Sequence, residues 1–496
     1  MNSLIDFLLV ACWRGSARAL AGLAVAAIVS GCAVGPDYRP PEPEAPTVWQ
    51  SPLPHGGSLV RMEDWWNSFD DPLVTELIAA AEEDSPTLAK AWANIEKARA
   101  NLRSTQSNAY PSLTGSASAS RSNQSQSSTS VGAAETSRSA GLDASWELDL
   151  FGKVRRNTEA ARARMGERTN DWHQARISLA AEVADTYVQY RGCLMLVNAY
   201  ERQLISAQAT EKATTASVSG GFSAPADASL ARAAAASTFS TLTEQRGTCD
   251  ILVKSLVYLT GMEEPRLRQQ LSKAGTKIPQ PAALAVNNIP ANVLRQRPDV
   301  ASLERELAAT SAEIGAAKAD LYPSLSLSGS ITFTAASVPM ISSPSWSFGP
   351  SLSLPIFDGG KRRAAVTSAE ATYQGALAGY RDGVRTAVKE VEQALVYLDT
   401  AAKRSESAES AARHYDSYFK ATQQSWRAGM TNLLSLEEAR RSALSAEVTL
   451  IGLQRDRVQY WVSLYKKLGG GWQAGDSARS PDALAKTETS SPKDRK

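Results

Sequence analysis

Tyr322-Pro323-Ser324-Leu325-Ser326-Leu327-Ser328-Gly329-Ser330-Ile331-Thr332-Phe333 is the stretch that decides the fold. After the proline the chain alternates, with Leu325, Leu327, Ile331 and Phe333 separated by Ser324, Ser326, Ser328, Ser330 and Thr332. A period of two is the mark of a strand with one apolar face and one wet face. A return strand repeats the pattern through Trp346, Phe348, Leu352 and Leu354, and the first half of the chain does so through Leu142, Ala144, Trp146 and Leu148. Two strands per half, four in all and roughly ten residues each, match the ~9–11 residues that cross a bilayer when tilted. A small antiparallel sheet packed on helices is the other reading of this alternation taken alone.

Working outward, the chain is written twice. Pro86 opens a helical stretch ending in Tyr110-Pro111-Ser112-Leu113, and Pro298 opens another ending in Tyr322-Pro323-Ser324-Leu325, so two anchors share one offset (298 − 86 = 212; 322 − 110 = 212). Phe151-Gly152-Lys153 is echoed at Phe357 to Lys361, while Gly221 and Gly429, Ala231-Arg232 and Ala439-Arg440, and Gly261 and Gly469 each differ by 208. The expected organisation is a first repeat over residues 62–265, a linker over 266–293 and a second repeat over 294–470. Residues 471–496, polar and without apolar periodicity, read as a disordered tail.

Each repeat carries more helix than sheet. Leu88, Trp92, Ile95 and Leu102 after Pro86, and Val300, Leu303, Leu307 and Ile314 after Pro298, mark one helical face. Proline suits the first turn, and Asp299 lies near the positive end of the helix dipole. Behind each strand pair, helical regions run from Gly152 to about Ser219 and from Lys361 to about Arg427, before breaks at Gly220-Gly221 and Gly429. At 1.5 Å per residue, each such helix is a rod of roughly 100 Å, a periplasm-scale length.

Four strands cannot close a pore, and open edges in lipid strand backbone donors and acceptors at several kcal/mol each. The chain must therefore oligomerise. About eight strands only fill a barrel with side chains, so three chains giving twelve strands is the smallest count that leaves a lumen.

The N-terminus reads as an export signal over residues 1–31: Arg14 and Arg18 precede an apolar run from Ala19 to Val29. The run closes with Val29-Ser30-Gly31-Cys32, which resembles the lipobox of bacterial lipoproteins and implies acylation of Cys32. Residues 32–61 follow as a lipidated, proline-rich extended tether. Composition excludes other classes: 43% hydrophobic and 21% charged residues make a folded chain, and a formal net charge of +2 without basic clusters gives no nucleic-acid footprint.

Two thiols remain after Cys32, and Cys193 and Cys249 have a mean position of (193 + 249)/2 = 221, the hairpin glycine. Antiparallel helices folding back there bring them to one height. In an oxidising periplasm a disulfide closing ~55 residues is worth about 4 kcal/mol before strain; facing that fails to bring Cα atoms within ~7 Å would leave free thiols. Enzymatic chemistry has little support, because His55, His173 and His414 form no metal-ligand spacing and no nucleophile elbow or phosphate loop occurs. No cofactor is expected beyond the lipid on Cys32.

Trp65-Trp66, Phe69, Asp71-Pro72-Leu73, the two Tyr-Pro-Ser-Leu elements, Arg297-Pro298-Asp299 and Ile314-Gly315-Ala316-Ala317 together resemble the TolC-like outer membrane efflux proteins, nearest to the NodT-type lipoproteins of resistance-nodulation-division pumps. The resemblance implies a mixed α and β fold: a trimeric twelve-stranded transmembrane barrel with four strands per chain, continued by a periplasmic α-helical barrel. It implies a passive exit duct in the outer membrane, fed by an inner-membrane resistance-nodulation-division transporter through a periplasmic membrane-fusion adaptor. A duct for type I protein secretion and a purely structural outer membrane lipoprotein are the alternatives. The family's aperture segment corresponds here to Asn432 through Arg440, which makes Leu434 and Glu438 the gate residues. Four residues apart, they share a helix face and would form an apolar and an acidic ring about a threefold axis. Without the family, Glu437 and Glu438 pairing with Arg440 and Arg441 on a solvated surface is the simpler reading.

Overall fold

The computed structural model describes residues 33–42, 45–53, 62–123, 134–283, 294, 296–337 and 340–473. A 3-10 turn at Met62–Ser68 leads into helices α1 (Leu73–Glu83) and α2 (Pro86–Ser107), strands β1 (Ser112–Asn123) and β2 (Ala134–Leu148), and helices α3 (Lys153–Ser219), α4 (Pro225–Thr260) and α5 (Glu264–Lys273). The second half repeats this order with α6 (Pro298–Ala319), β3 (Ser324–Ser337), β4 (Met340–Ser353), α7 (Lys361–Arg427) and α8 (Leu433–Lys467). Helices α3 and α7 have 67 residues each. No helix among the described residues is long and apolar enough to cross a membrane.

Helix boundaries follow the expected chemistry. Ser85 caps α2 by accepting from the Leu88 amide, and Asn432 caps α8 by accepting from the Ser435 amide at 2.8 Å. The two long helices end in the same motif. Gly221 (φ 80°) donates to Val218 O while Phe222 donates to Ser217 O, and Gly429 (φ 72°) donates to Trp426 O while Met430 donates to Ser425 O. This is the Schellman pairing, and its left-handed residue is why glycine recurs at an offset of 208. Beyond Gly261 the 266–293 linker contributes most of α5, whose Leu267 and Leu271 are buried.

The chain divides into two compact units that cut across the repeats. One contains residues 1–42, 94–168 and 303–380, and its centre is a single antiparallel sheet in the order β1-β2-β3-β4. The strands run to 12, 15, 14 and 14 residues, longer than alternation alone indicated. Leu354, placed in the last strand by sequence, falls just past the end of β4, ahead of Pro355, which has no amide to donate. In this unit the segment behind Cys32 is strapped down. Val34 donates to Phe151 O, Arg156 donates to the carbonyls of Val34 and Gly35 and pairs with Asp37 at 2.9 Å, and Tyr38 donates to Glu304. Gly35 and Gly315 cross so closely that a Cβ on Gly35 would sit 2.4 Å from Gly315 Cα, which explains the glycine of Ile314-Gly315-Ala316-Ala317.

The other unit contains residues 43–93, 169–302 and 381–496. Its core gathers Trp65, Trp66, Val74, Leu77, Tyr187, Leu256, Val391 and Leu464, all buried. Trp65 stacks on Tyr465 with centroids 5.0 Å apart, while Trp66 meets the same ring edge-on at 4.6 Å. Arg191, on α3, donates to Lys277 O and Tyr187 and pairs with Asp71, tying the linker to the helix. Trp472 is buried in this core, so the expected tail does not start at residue 471; residues 474–496 lie outside the described set. The proline-rich strand of chain is held here too, where Gln50 and Ser51 amides donate to Glu392 and Trp49 is buried. The expected tether is thus fastened within each unit rather than free along its length.

Candidate functional site

The sheet is the first candidate. Its pairing is unbroken and free of bulges, from Ser112↔Ser145 to Asn123↔Ala134 in the first pair, and every strand keeps its alternation in phase with its neighbour. Consequently whole rows share a character. Gly115, Leu142, Ile331 and Trp346 stand in one row and Leu113, Ala144, Gly329 and Phe348 in the next, all on one face. Trp346 and Phe348 are 79% and 74% exposed, far too open for a face packed on the chain's own helices. The opposite face carries Ser116, Ser118, Ser139, Ser145, Ser328, Ser330, Thr332 and Ser347 among others. Hydroxyls pair across it, Ser118 with Ser139 at 2.8 Å and Ser330 with Ser347 at 2.9 Å. Its ionisable groups with described side chains are Asp143 and Glu147, both acidic. One side of the sheet is thus apolar and exposed, and the other is hydroxylic.

The second candidate is the segment following Gly429. Leu434 and Glu438 lie one turn apart on α8, and both are exposed. Glu437, by contrast, turns inward and pairs with Arg440, which is buried, donates to Thr210 Oγ1 on α3 at 2.6 Å and sits over the Phe419 ring. Ala231, Leu433 and Leu436 pack beside this pair with Phe419 and Trp426. Sequence reading missed Arg440 as an anchor. Its repeat counterpart Arg232 is exposed, so the two halves do not share this anchor and neither the repeat nor the local charge pattern marks it. Glu438 has no ion pair among the described residues, so the simple pairing of both glutamates with Arg440 and Arg441 does not describe this tip.

Cys193 and Cys249 form a disulfide between α3 and α4, with Cα atoms 5.7 Å apart. Cys32 lies outside the described residues.

The profile of the family described as "Outer membrane efflux protein" matches residues 77–262 and 289–470, one match per half. The chain belongs to the outer membrane efflux protein family. This efflux protein is 30% identical over 473 residues to the solvent efflux pump outer membrane protein SrpC of Pseudomonas putida, covering 91% of this chain and 97% of the relative. It is 30% identical to nodulation protein T of Rhizobium leguminosarum bv. trifolii, over 89% of this chain and 94% of that protein. Among solved structures the outer-membrane channel OprN superposes with a TM-score of 0.78 at 30% identity, over 89% of this efflux protein and 100% of that chain. The family is one of outer membrane channels, and the TolC-like, NodT-type resemblance read from the motifs is correct.

Proposed function

We propose that three copies of this chain join edge to edge as a twelve-stranded barrel in the outer membrane and act as a passive exit duct for small molecules. The four-stranded sheet, apolar on one face, hydroxylic on the other and open at β1 and β4, carries this reading. Alone in lipid, its two edges would leave a row of main-chain groups without partners; in a ring, each edge finds the next copy. In this reading the long helices extend into the periplasm, where an α-helical barrel receives cargo from an adaptor and an inner-membrane resistance-nodulation-division transporter. Cys32 carries the lipid anchor, and Leu434 and Glu438 line the constricted aperture. A relative acts in a solvent efflux pump, which favours export of small compounds over secretion of proteins.

The reading predicts that the mature protein, purified in detergent, migrates as a heat-dissociable trimer and gives stepwise conductance in planar bilayers. A monomer soluble without detergent and silent in bilayers would overturn it. We also propose that the Cys193–Cys249 bond forms on export. Thiol labelling of denatured protein purified from outer membranes should then fail until reductant is added, and labelling of both thiols before reduction would refute the bond.

A further inference from the structure

Two cations break the apolar face. Arg138 on β2 stands in register with Ala119 on β1 and Ala335 on β3, and Arg121 on β1 stands in register with Thr136. Strict alternation puts both on the same side as Leu142, Ile331 and Trp346, and they are diagonal neighbours about 7–8 Å apart. Both are exposed and neither has an ion-pair partner among the described residues. Asp143 takes the other face, and so do the register positions of Glu147 and Glu135. Strands β3 and β4 contain no charged residue at all. Two unneutralised guanidiniums therefore sit together on a surface that otherwise faces hydrocarbon.

Their depth removes the apparent conflict. From Leu148 to Arg138 is ten residues, or about 34 Å along the strand and about 26 Å along the membrane normal at a tilt of ~40°, against an apolar band ~25 Å tall. Arg138 thus lies where the hydrocarbon ends, at the end of the sheet away from α2 and α3, and there a cation costs about 0–1 kcal/mol instead of the ~2–4 of the midplane. Beneath it is a recess of about 260 Å³, lined by Arg138, Ala140, Phe333, Ala335 and Pro344 of that face. The recess is smaller than the ~300–1,000 Å³ of a pocket for a whole small molecule. It suits one apolar chain whose polar head stays outside, beside the arginines.

We propose, resting on the outer membrane barrel reading above, that Arg121 and Arg138 with this recess bind a phosphorylated glycolipid of the outer leaflet. A phosphate accepts paired hydrogen bonds from the planar guanidinium forks, and one acyl chain lies across Ala140, Phe333 and Pro344. The site is complete within one chain, so a trimer holds three.

Native mass spectrometry of the detergent-purified trimer, titrated with diphosphoryl lipid A, dephosphorylated lipid A or phosphatidylglycerol, tests the site. Diphosphoryl lipid A should bind up to three per trimer, with at least tenfold weaker affinity in the Arg121→Gln/Arg138→Gln double variant. Arg121→Lys/Arg138→Lys, which keeps the charge and loses the fork, should bind with an affinity between wild type and the glutamine variant. Equal binding by wild type and the glutamine variant overturns the proposal, as does equal affinity for the dephosphorylated lipid. Phosphatidylglycerol bound as tightly as lipid A overturns the assignment to the outer-leaflet glycolipid. Bilayer conductance of the same preparations separates this claim from its premise: without conductance steps the channel reading fails, whereas steps with unaltered lipid binding in the variant sink this site alone.

Discussion

Arg440 holds a position that few cations occupy, 1% exposed between Glu437, Thr210 and the Phe419 ring. Removing one member of a buried ion pair leaves the other charge uncompensated, which costs about 3–5 kcal/mol. Arg440→Ala should therefore lower the thermal midpoint sharply and loosen the α3–α8 contact, seen as faster proteolysis near Thr210. Arg440→Met combined with Glu437→Gln should recover much of the loss, because no lone charge remains; equal midpoints for the single and double variants would contradict the pairing argument. The neighbouring exposed residues behave differently, since Leu434 and Glu438 contribute nothing to the packed tip. In the proposed trimer Leu434→Ala should raise single-channel conductance by widening the apolar ring, with little change in melting. Glu438→Gln should lower the cation-to-anion permeability ratio read from reversal potentials. If neither variant moves conductance or selectivity, the aperture lies elsewhere on the chain.

At the scale of elements, the start of α6 is joined to two other helices by charge. Arg297 pairs with Asp299 at 2.6 Å and with Glu390 on α7 at 2.8 Å, donates to Lys467 O, and Lys467 of α8 also pairs with Glu390. Burial pushes the Asp299 carboxyl up, but the Arg297 hydrogen bond and charge outweigh it and hold it below the usual carboxylate range. Glu390 is held low in the same way, burial being outweighed by Lys467 and Arg297. Carboxyls depressed in the folded state add stability that is present above their unfolded values and lost as pH falls through the folded ones. The melting temperature should accordingly fall as pH drops below about 4, and Asp299→Asn with Glu390→Gln should flatten that arm while costing stability at pH 7. An acid limb of undiminished slope in the double variant would assign the loss to other carboxylates. Elements were also what the sequence disclosed best. Alternation located β2, β3 and β4, the repeated Tyr-Pro-Ser-Leu element implied β1, and the glycine offsets located both helix breaks, because each signal is local and repeats. Partners distant in sequence left no such trace. Nothing near Arg156 announces Val34 and Asp37, 122 and 119 residues away, and nothing around Trp472 announces a core site in what otherwise reads as a polar tail.

For the whole molecule, the decisive question is how the open edges are closed. Strand β4 contains Pro344 and Pro350, yet its pairing with β3 stays regular from Ser324↔Ser353 to Ser337↔Met340. Amides point to alternate sides along a strand, so two prolines of equal parity lack their donors on the same side, and an intact β3–β4 ladder places that side at the open edge. On an isolated sheet this would merely blunt an edge. In the proposed barrel that edge meets β1 of the next copy, so each seam lacks two donors and leaves two carbonyls short of partners in lipid, where an unsatisfied group costs several kcal/mol. The seams, rather than the hairpins, are then the weakest ladders of the trimer. Pro344→Thr with Pro350→Thr restores two donors per seam, and it should raise the temperature at which the detergent-solubilised trimer dissociates while leaving conductance unchanged. If the dissociation temperature stays the same or falls, β4 does not meet a neighbouring β1 along this edge, and closure of twelve strands by that pairing is wrong.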